Sequence, residues 1–139
     1  MPQAVNIATY APGIFATNGG GRGQGAILDE NDRLVDSTNP ATAGNTVVQI
    51  YCTGLGPVTN QPSTGAPSPG NPLAETTTQP TVLIGGAPAQ VQFSGLSPES
   101  VGLYQVNALV PEGVAKGDAV PVLIAIGGVQ SNTVTIAVR

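Results

Sequence analysis

The side chains that could do chemistry in this chain are few, and their types exclude most catalytic arrangements. The chain holds one cysteine, Cys52, and no histidine, so it cannot form the Ser-His or Cys-His pair that activates a nucleophile. A Ser-Lys pair would depend on Lys116, which lies in a segment typical of an exposed turn. We therefore expect Cys52 to be a buried, unreactive thiol and the chain not to be an enzyme.

The carboxylates offer a second route to chemistry, because a pair of them could hydrolyse a glycosidic bond. All of them fall in segments that we predict to be turns or loops, where solvated side chains are usual. They are Asp29, Glu30, Asp32, Asp36, Glu75, Glu99, Glu112 and Asp118. A hydrolase is therefore the least favoured function.

The densest group of oxygen ligands is formed by Asp29, Asn31 and Asp32, and it is a candidate calcium site. The segment lacks the glycine at the sixth position and the distal glutamate of an EF-hand loop. A tight hairpin turn, in which Asx side chains bond their own backbone, is the alternative interpretation of the same residues. A zinc site is not expected in a chain with one Cys and no His.

Short strands joined by glycine and proline turns must position these groups. The 139 residues include 19 Gly and 13 Pro, and the 40% that are hydrophobic gather in short blocks, which disfavours both disorder and long helices. About nine blocks at fairly even spacing predict a single all-β domain, an immunoglobulin-like β-sandwich. Residues 46–139 would form its immunoglobulin-like core, and residues 1–45 an added N-terminal hairpin extension.

Alternation of apolar and polar residues predicts which face of each strand is buried. The predicted shared faces include Val48, Ile50 and Cys52 in one strand, Val91 and Phe93 in a hairpin, and Val134, Ile136 and Val138 in the last strand. Gln49 and Tyr51 then lie on the opposite, polar face of the first of these strands.

The charge pattern excludes two further classes of function. The net charge is −4 and no basic stripe is present, so nucleic-acid binding is not expected. No apolar run approaches the roughly 18–20 residues that a membrane-spanning helix requires.

Three segments, in this order along the chain, resemble a known family. They are Ala11-Pro12-Gly13-Ile14-Phe15, Ile50-Tyr51-Cys52-Thr53-Gly54-Leu55-Gly56, and Gly102-Leu103-Tyr104-Gln105-Val106-Asn107 with Val110-Pro111. The family is the Solibacter-type C-terminal domain, which is expanded in Acidobacteria. The chain from Thr81 onward also resembles an IPT/TIG immunoglobulin-like domain, through its Gly-Gly hairpin and its Ser131-Asn132-Thr133-Val134 strand. Cys52 departs from the small or β-branched residue expected at its position.

The resemblance implies a module at the C-terminal end of an exported bacterial protein, secreted or on the cell surface. We expect a non-enzymatic structural or interaction module whose partners are the preceding domains of a larger parent protein or another surface protein. Residues 18–23 and 58–80 are the candidate contact loops, and exposed strand edges could also pair two copies as a homodimer. The alternative is a carbohydrate-binding module, in which Tyr10, Tyr51 and Tyr104 would stack on a glycan.

Overall fold

Nine β-strands build the part of the chain that the computed structural model describes, which comprises residues 9–60, 65–67, 74–98 and 100–139. The strands are β1 (Gly13–Ile14), β2 (Ile27–Leu28), β3 (Val47–Thr53), β4 (Thr81–Ile84), β5 (Ala87–Leu96), β6 (Tyr104–Leu109), β7 (Gly117–Ile126), β8 (Val129–Gln130) and β9 (Val134–Val138). No helix in these ranges has the length and hydropathy needed to cross a membrane.

Two of the connections are tight turns that depend on paired glycines. Gly85-Gly86 joins β4 to β5, and Gly127-Gly128 joins β7 to β8. All four glycines have positive φ, between 58° and 82°, as the central residues of a type I′ hairpin turn require.

All nine strands belong to one sheet in which every strand pair is antiparallel. The ladder runs β3–β6–β5–β4–β7, and β9 and β8 both pair with the other edge of β7. At the opposite end, β1 and β2 pair with β3.

The N-terminal segment nearly closes this sheet into a barrel. The Gly25 N–H donates to the Thr135 carbonyl of β9 at 2.8 Å, and the Ala41 N–H donates to the Ala137 carbonyl at 2.9 Å. Since β2 follows Gly25 and pairs with β3, these bonds lead from the last strand back to the first long one. The all-β class and the nine strands are confirmed. Two packed sheets are the wrong architecture, because the ladder is continuous.

Irregular pairing in the two ten-residue strands, β5 and β7, lets the hydrogen-bonded ladder continue around the barrel. Each has a register shift, between Val91 and Phe93 in β5 and between Gly117 and Val120 in β7. An extra residue in one strand bends it and increases its twist. Bent in this way, β5 pairs with β6 along most of its length and with β4 at its beginning, so the strands on either side of it form a single sheet.

One hydrophobic core fills the barrel, and alternation predicts most of it correctly. Val48, Ile50 and Cys52 of β3 are fully buried, as are Val134, Ile136 and Val138 of β9. The first 45 residues contribute Ile27, Val35 and Ala41 to the same cluster. A second, smaller cluster of Val58, Ala74 and Leu96 lies beneath the segment before β4.

Candidate functional site

The candidate calcium ligands lie in the predicted hairpin turn, where Asp29 holds the backbone in place. One oxygen, Oδ1, accepts hydrogen bonds from the backbone N–H groups of Asn31 at 2.8 Å and Arg33 at 3.0 Å. The other, Oδ2, accepts one from Asn39 Nδ2 at 2.9 Å. The bond from Asn39, followed by that from Arg33, lowers the pKa of the Asp29 carboxyl below its ordinary value. The carboxylate therefore has a clear structural task in the turn.

The other two candidate ligands, Asn31 and Asp32, are exposed. Asp32 has a φ of 61°, a left-handed conformation that Asp tolerates in turns, and its Oδ1 accepts a hydrogen bond from Gln49 Nε2 at 2.8 Å. Within the described ranges, no three Asp, Glu, Cys or His side chains cluster as metal ligands would. The Asx hydrogen bonds account for the turn, and calcium binding there stays a prediction.

Cys52 is fully buried in the barrel core, as predicted. Burial raises the pKa of its thiol to about 12, so the thiol stays protonated at neutral pH and lacks the thiolate that attacks substrates. Cys52 pairs with Tyr104 across β3 and β6. Its role here is packing.

A hydrogen-bonded group of polar side chains covers the outer face of β3 and β6; we call it the amide face, and it comprises Gln49, Tyr51, Gln105 and Asn107. The Tyr51 hydroxyl donates to Gln49 Oε1 at 3.1 Å. Gln105 Nε2 lies 3.2 Å from the same oxygen and 2.8 Å from Asn107 Oδ1. These mutual bonds orient the side chains before any ligand arrives, which lowers the entropic cost of binding.

The three tyrosines predicted to stack on a glycan occupy different environments. Tyr51 lies on the amide face, where burial and then the charge of Asp32 raise the pKa of its phenol. Tyr10 packs closely over Gly127, and its hydroxyl bonds Thr78 Oγ1 at 2.7 Å. Tyr104 packs against both hydrophobic clusters. The structure thus keeps Tyr51 at a polar surface and uses the other two in packing.

The register shift in β5 separates two residues that alternation places on one face. Val91 pairs with Ala108, a buried residue, and packs against the core. Phe93 pairs with Asn107 and therefore faces outward, beside the amide face. The predicted shared face of Val91 and Phe93 is wrong, because the bulge inserts Gln92 as an extra residue between them.

A cavity of about 250 Å³ opens beside this bulge; we call it the bulge cavity. Its lining consists of Glu75, Thr76, Gln79, Val91, Gln92, Phe93 and Ser94. Glu75, Gln79 and Gln92 have exposed side chains, whereas Ser94 is buried. The lining therefore combines one carboxylate and two amides with an aromatic ring, a valine and two hydroxyls, and these hydroxyls, of Thr76 and Ser94, are bonded to each other at 2.9 Å.

Backbone pairing to β5 on both sides creates this cavity. The segment before β4 pairs with the end of β5, where the Thr76 N–H donates to the Ser94 carbonyl at 2.9 Å. The chain then leaves β5 and rejoins it at the pairing of Val82 with Ala89. Between these two attachments β5 bulges at Gln92, and the space that opens is the bulge cavity.

Gly95 lets the segment before β4 approach β5 closely. A Cβ at Gly95 would collide with the Ala74 carbonyl oxygen and would lie 2.9 Å from both Glu75 Cα and Phe93 Cζ. Such contacts are too short for real side chains, so only glycine fits beneath this wall of the cavity.

Only part of one predicted contact loop lines the bulge cavity. In residues 58–80, Val58 bridges to Thr76, and the part around Glu75 lines the bulge cavity. Residues 61–64 and 68–73 of this loop, and Glu99, lie outside the described residues. The glycine-rich loop at residues 18–23 is attached to the last hairpin instead, because Asn132 Nδ2 donates to the Gly21 carbonyl at 2.7 Å.

The sequence pattern does not indicate that Gln92 and Phe93 lie beside a cavity, and it places Glu75 among the solvated acids. One signal was available: a glycine inside a strand pattern often marks a bulge or a close approach of backbone. Gly95 is such a glycine, two residues after Phe93.

Comparison of the chain with known protein-family models, with curated proteins and with solved structures finds no match. The resemblance to the Solibacter-type C-terminal domain therefore stays a prediction from the quoted segments.

Proposed function

We propose that this chain is a non-enzymatic interaction module at the C-terminal end of a larger exported bacterial protein, secreted or displayed on the cell surface. The observation that carries the proposal is the bulge cavity, a polar recess between two attachments along β5. The family resemblance supports the exported location and the position at the end of a longer protein. The resemblance of the chain from Thr81 onward to an IPT/TIG domain stays a prediction.

The site is suited to binding because several polar side chains line one recess. Phe93 links the bulge cavity to the amide face through its pairing with Asn107. The result is a continuous surface with oriented amides, one ring and one carboxylate. Bulges are frequent at binding sites because they redirect a side chain without unfolding the strand, and here Phe93 is redirected from the core to the surface.

The same lining disfavours hydrolysis, the least favoured of the functions considered. Glycoside hydrolysis requires two carboxyl groups about 5–10 Å apart, one acting as the acid. Among the described residues that line the bulge cavity, Glu75 supplies the single carboxylate. The cavity can therefore hold a polar ligand but lacks the second acid that would cleave it.

Binding to the cell surface tests this proposal. The chain would be fused to a fluorescent protein and incubated with washed envelopes of the producing bacterium. We expect retention of the wild type, a loss of at least fivefold in Gln92→Ala, and no change in Gln130→Ala. Gln130 is the matched control because it is also an exposed glutamine on a strand, β8, but does not line the cavity.

Each result decides the proposal. Retention that weakens in Gln92→Ala alone supports an interaction module that uses the bulge cavity. Equal retention of both variants would refute the assignment of the site, and absence of retention of the wild type would refute a partner on the cell surface.

A further inference from the structure

The shape of the bulge cavity limits what can enter it. Pairing of Thr76 with Ser94 closes one end along β5, and pairing of Val82 with Ala89 closes the other. A peptide that adds to a sheet as a new strand needs a long free edge, which this gap does not provide. The ligand is therefore compact, or it is one unit of a polymer that enters from the outside.

The chemistry of the lining narrows the ligand further. Among the described lining residues, Glu75 carries the one charge, and it is negative. A phosphate or a uronic acid would be repelled there, because the described lining residues include no cation that would offset the carboxylate. A neutral, hydroxyl-rich molecule suits it, since Glu75 accepts hydrogen bonds while Gln79 and Gln92 both donate and accept them.

The polar lining and the volume point to a sugar ring. Phe93 is half-buried and adds only a small apolar surface to a lining that is otherwise polar; a pyranose presents hydroxyls around its edge and C–H groups on one face. The volume of about 250 Å³ lies below the roughly 300–1,000 Å³ of sites for drug-sized molecules, so the cavity fits a single ring.

We propose that the bulge cavity binds one unit of a neutral polysaccharide. This inference rests on the proposed interaction function and names its ligand class. Glu75 and Gln92 hold the hydroxyls, and the small exposed part of Phe93 contacts the C–H face. The polymer continues across Asn107 and the amide face toward Tyr51, over two strand spacings of about 4.8 Å each.

Titration with defined carbohydrates tests the inference. The probes are soluble neutral glucan, galactomannan and xylan, with polygalacturonate as the anionic comparison and polylysine as the cationic one. Binding is measured by calorimetry with the wild type and with Glu75→Gln, Phe93→Ala and Gln130→Ala. Glu75→Gln retains the shape of the side chain, and chemical denaturation confirms that Phe93→Ala is folded before its binding is interpreted.

We expect at least one neutral polymer to bind, with affinity about tenfold weaker in Glu75→Gln and about fivefold weaker in Phe93→Ala. Gln130→Ala should bind like the wild type. Preference for polygalacturonate or polylysine, or equal affinity of all variants, would overturn the inference.

The envelope assay separates the failure of this inference from that of the proposed function. The wild type could be retained by envelopes, lose this retention when the envelopes are treated with protease, and resist displacement by every neutral polymer. That result would refute the sugar ligand while the interaction function stands. Displacement by a neutral polymer supports both.

Discussion

Replacement of Gly95 by alanine tests how the wall of the bulge cavity is held. The new methyl group would collide with the Ala74 carbonyl oxygen and press on Glu75 Cα. Because the obstructing atoms belong to the backbone, the segment before β4 must move away from β5. Two backbone hydrogen bonds join them here, from the Thr76 N–H to the Ser94 carbonyl and from the Leu96 N–H to the Ala74 carbonyl, each 2.9 Å long.

The expected cost follows from these bonds. Each backbone hydrogen bond contributes about 1 kcal/mol, so their loss costs about 2 kcal/mol. Alanine recovers about 0.4–1 kcal/mol by reducing the conformational entropy of the unfolded chain. The free energy of unfolding should therefore fall by about 1–2 kcal/mol, which corresponds to a decrease in Tm of roughly 5 °C for a domain of this size.

Chemical denaturation gives the free energy, and hydrogen exchange locates the change. We expect faster exchange of the Thr76 and Leu96 amides in Gly95→Ala while the amides of β7 and β9 remain protected. Gly113→Ala is the matched control, because Gly113 has no neighbouring atom within 4 Å of an added Cβ and no positive φ. A Gly95→Ala variant as stable as the control, with unchanged protection at both amides, would refute the close-approach argument.

Three further predictions concern other parts of the barrel. Asn132→Ala should lower the free energy of unfolding by about 2–3 kcal/mol, as measured in urea, because Asn132 accepts from the Ile14 N–H and donates to the carbonyls of Ile14 and Gly21. The lowered pKa of Asp29 in the folded protein means that its carboxylate stabilises the fold at pH values above 3.8, its ordinary pKa. This stabilisation is lost as the pH falls through the lower pKa of the folded state. Asp29→Asn should therefore reduce the fall in Tm at acid pH, measured in a series of melts from pH 6 to pH 2. Cys52, whose thiol pKa is raised to about 12, should react with a thiol reagent only as fast as the barrel opens, so native protein at neutral pH should be modified far more slowly than protein in denaturant.

Alternation in the sequence predicts the strand faces well because burial on one side of a strand repeats every two residues. Val48, Ile50 and Cys52 follow this rule without interruption, and all three are buried. The rule fails at Val91 and Phe93, where an inserted residue changes the face while the apparent spacing stays at two. A bulge depends on how two strands pair, and alternation within one strand gives no information about that pairing.

The sequence pattern does not distinguish a sandwich from a barrel, for a related reason. Alternation identifies buried faces but does not say whether the ladder is continuous. The link that closes it here is made by backbone atoms around Gly25 and Ala41, in a segment with little strand character. Likewise, the same Asx residues fit a calcium loop and a tight turn, and the bonds of Asp29 to its own backbone become visible only in the fold.

A nearly closed sheet restricts where recognition can arise, since most backbone groups are already paired. Side chains at a break in the register are then the natural binding groups, and β5 provides such a break at Gln92. This arrangement separates two classes of variant. Gly95→Ala should move the wall and lower both stability and binding, whereas Glu75→Gln should alter an exposed hydrogen-bonding group and lower binding alone. If Glu75→Gln were to destabilise the barrel as much as Gly95→Ala, the carboxylate would belong to the wall itself, and its assignment to ligand binding would fail.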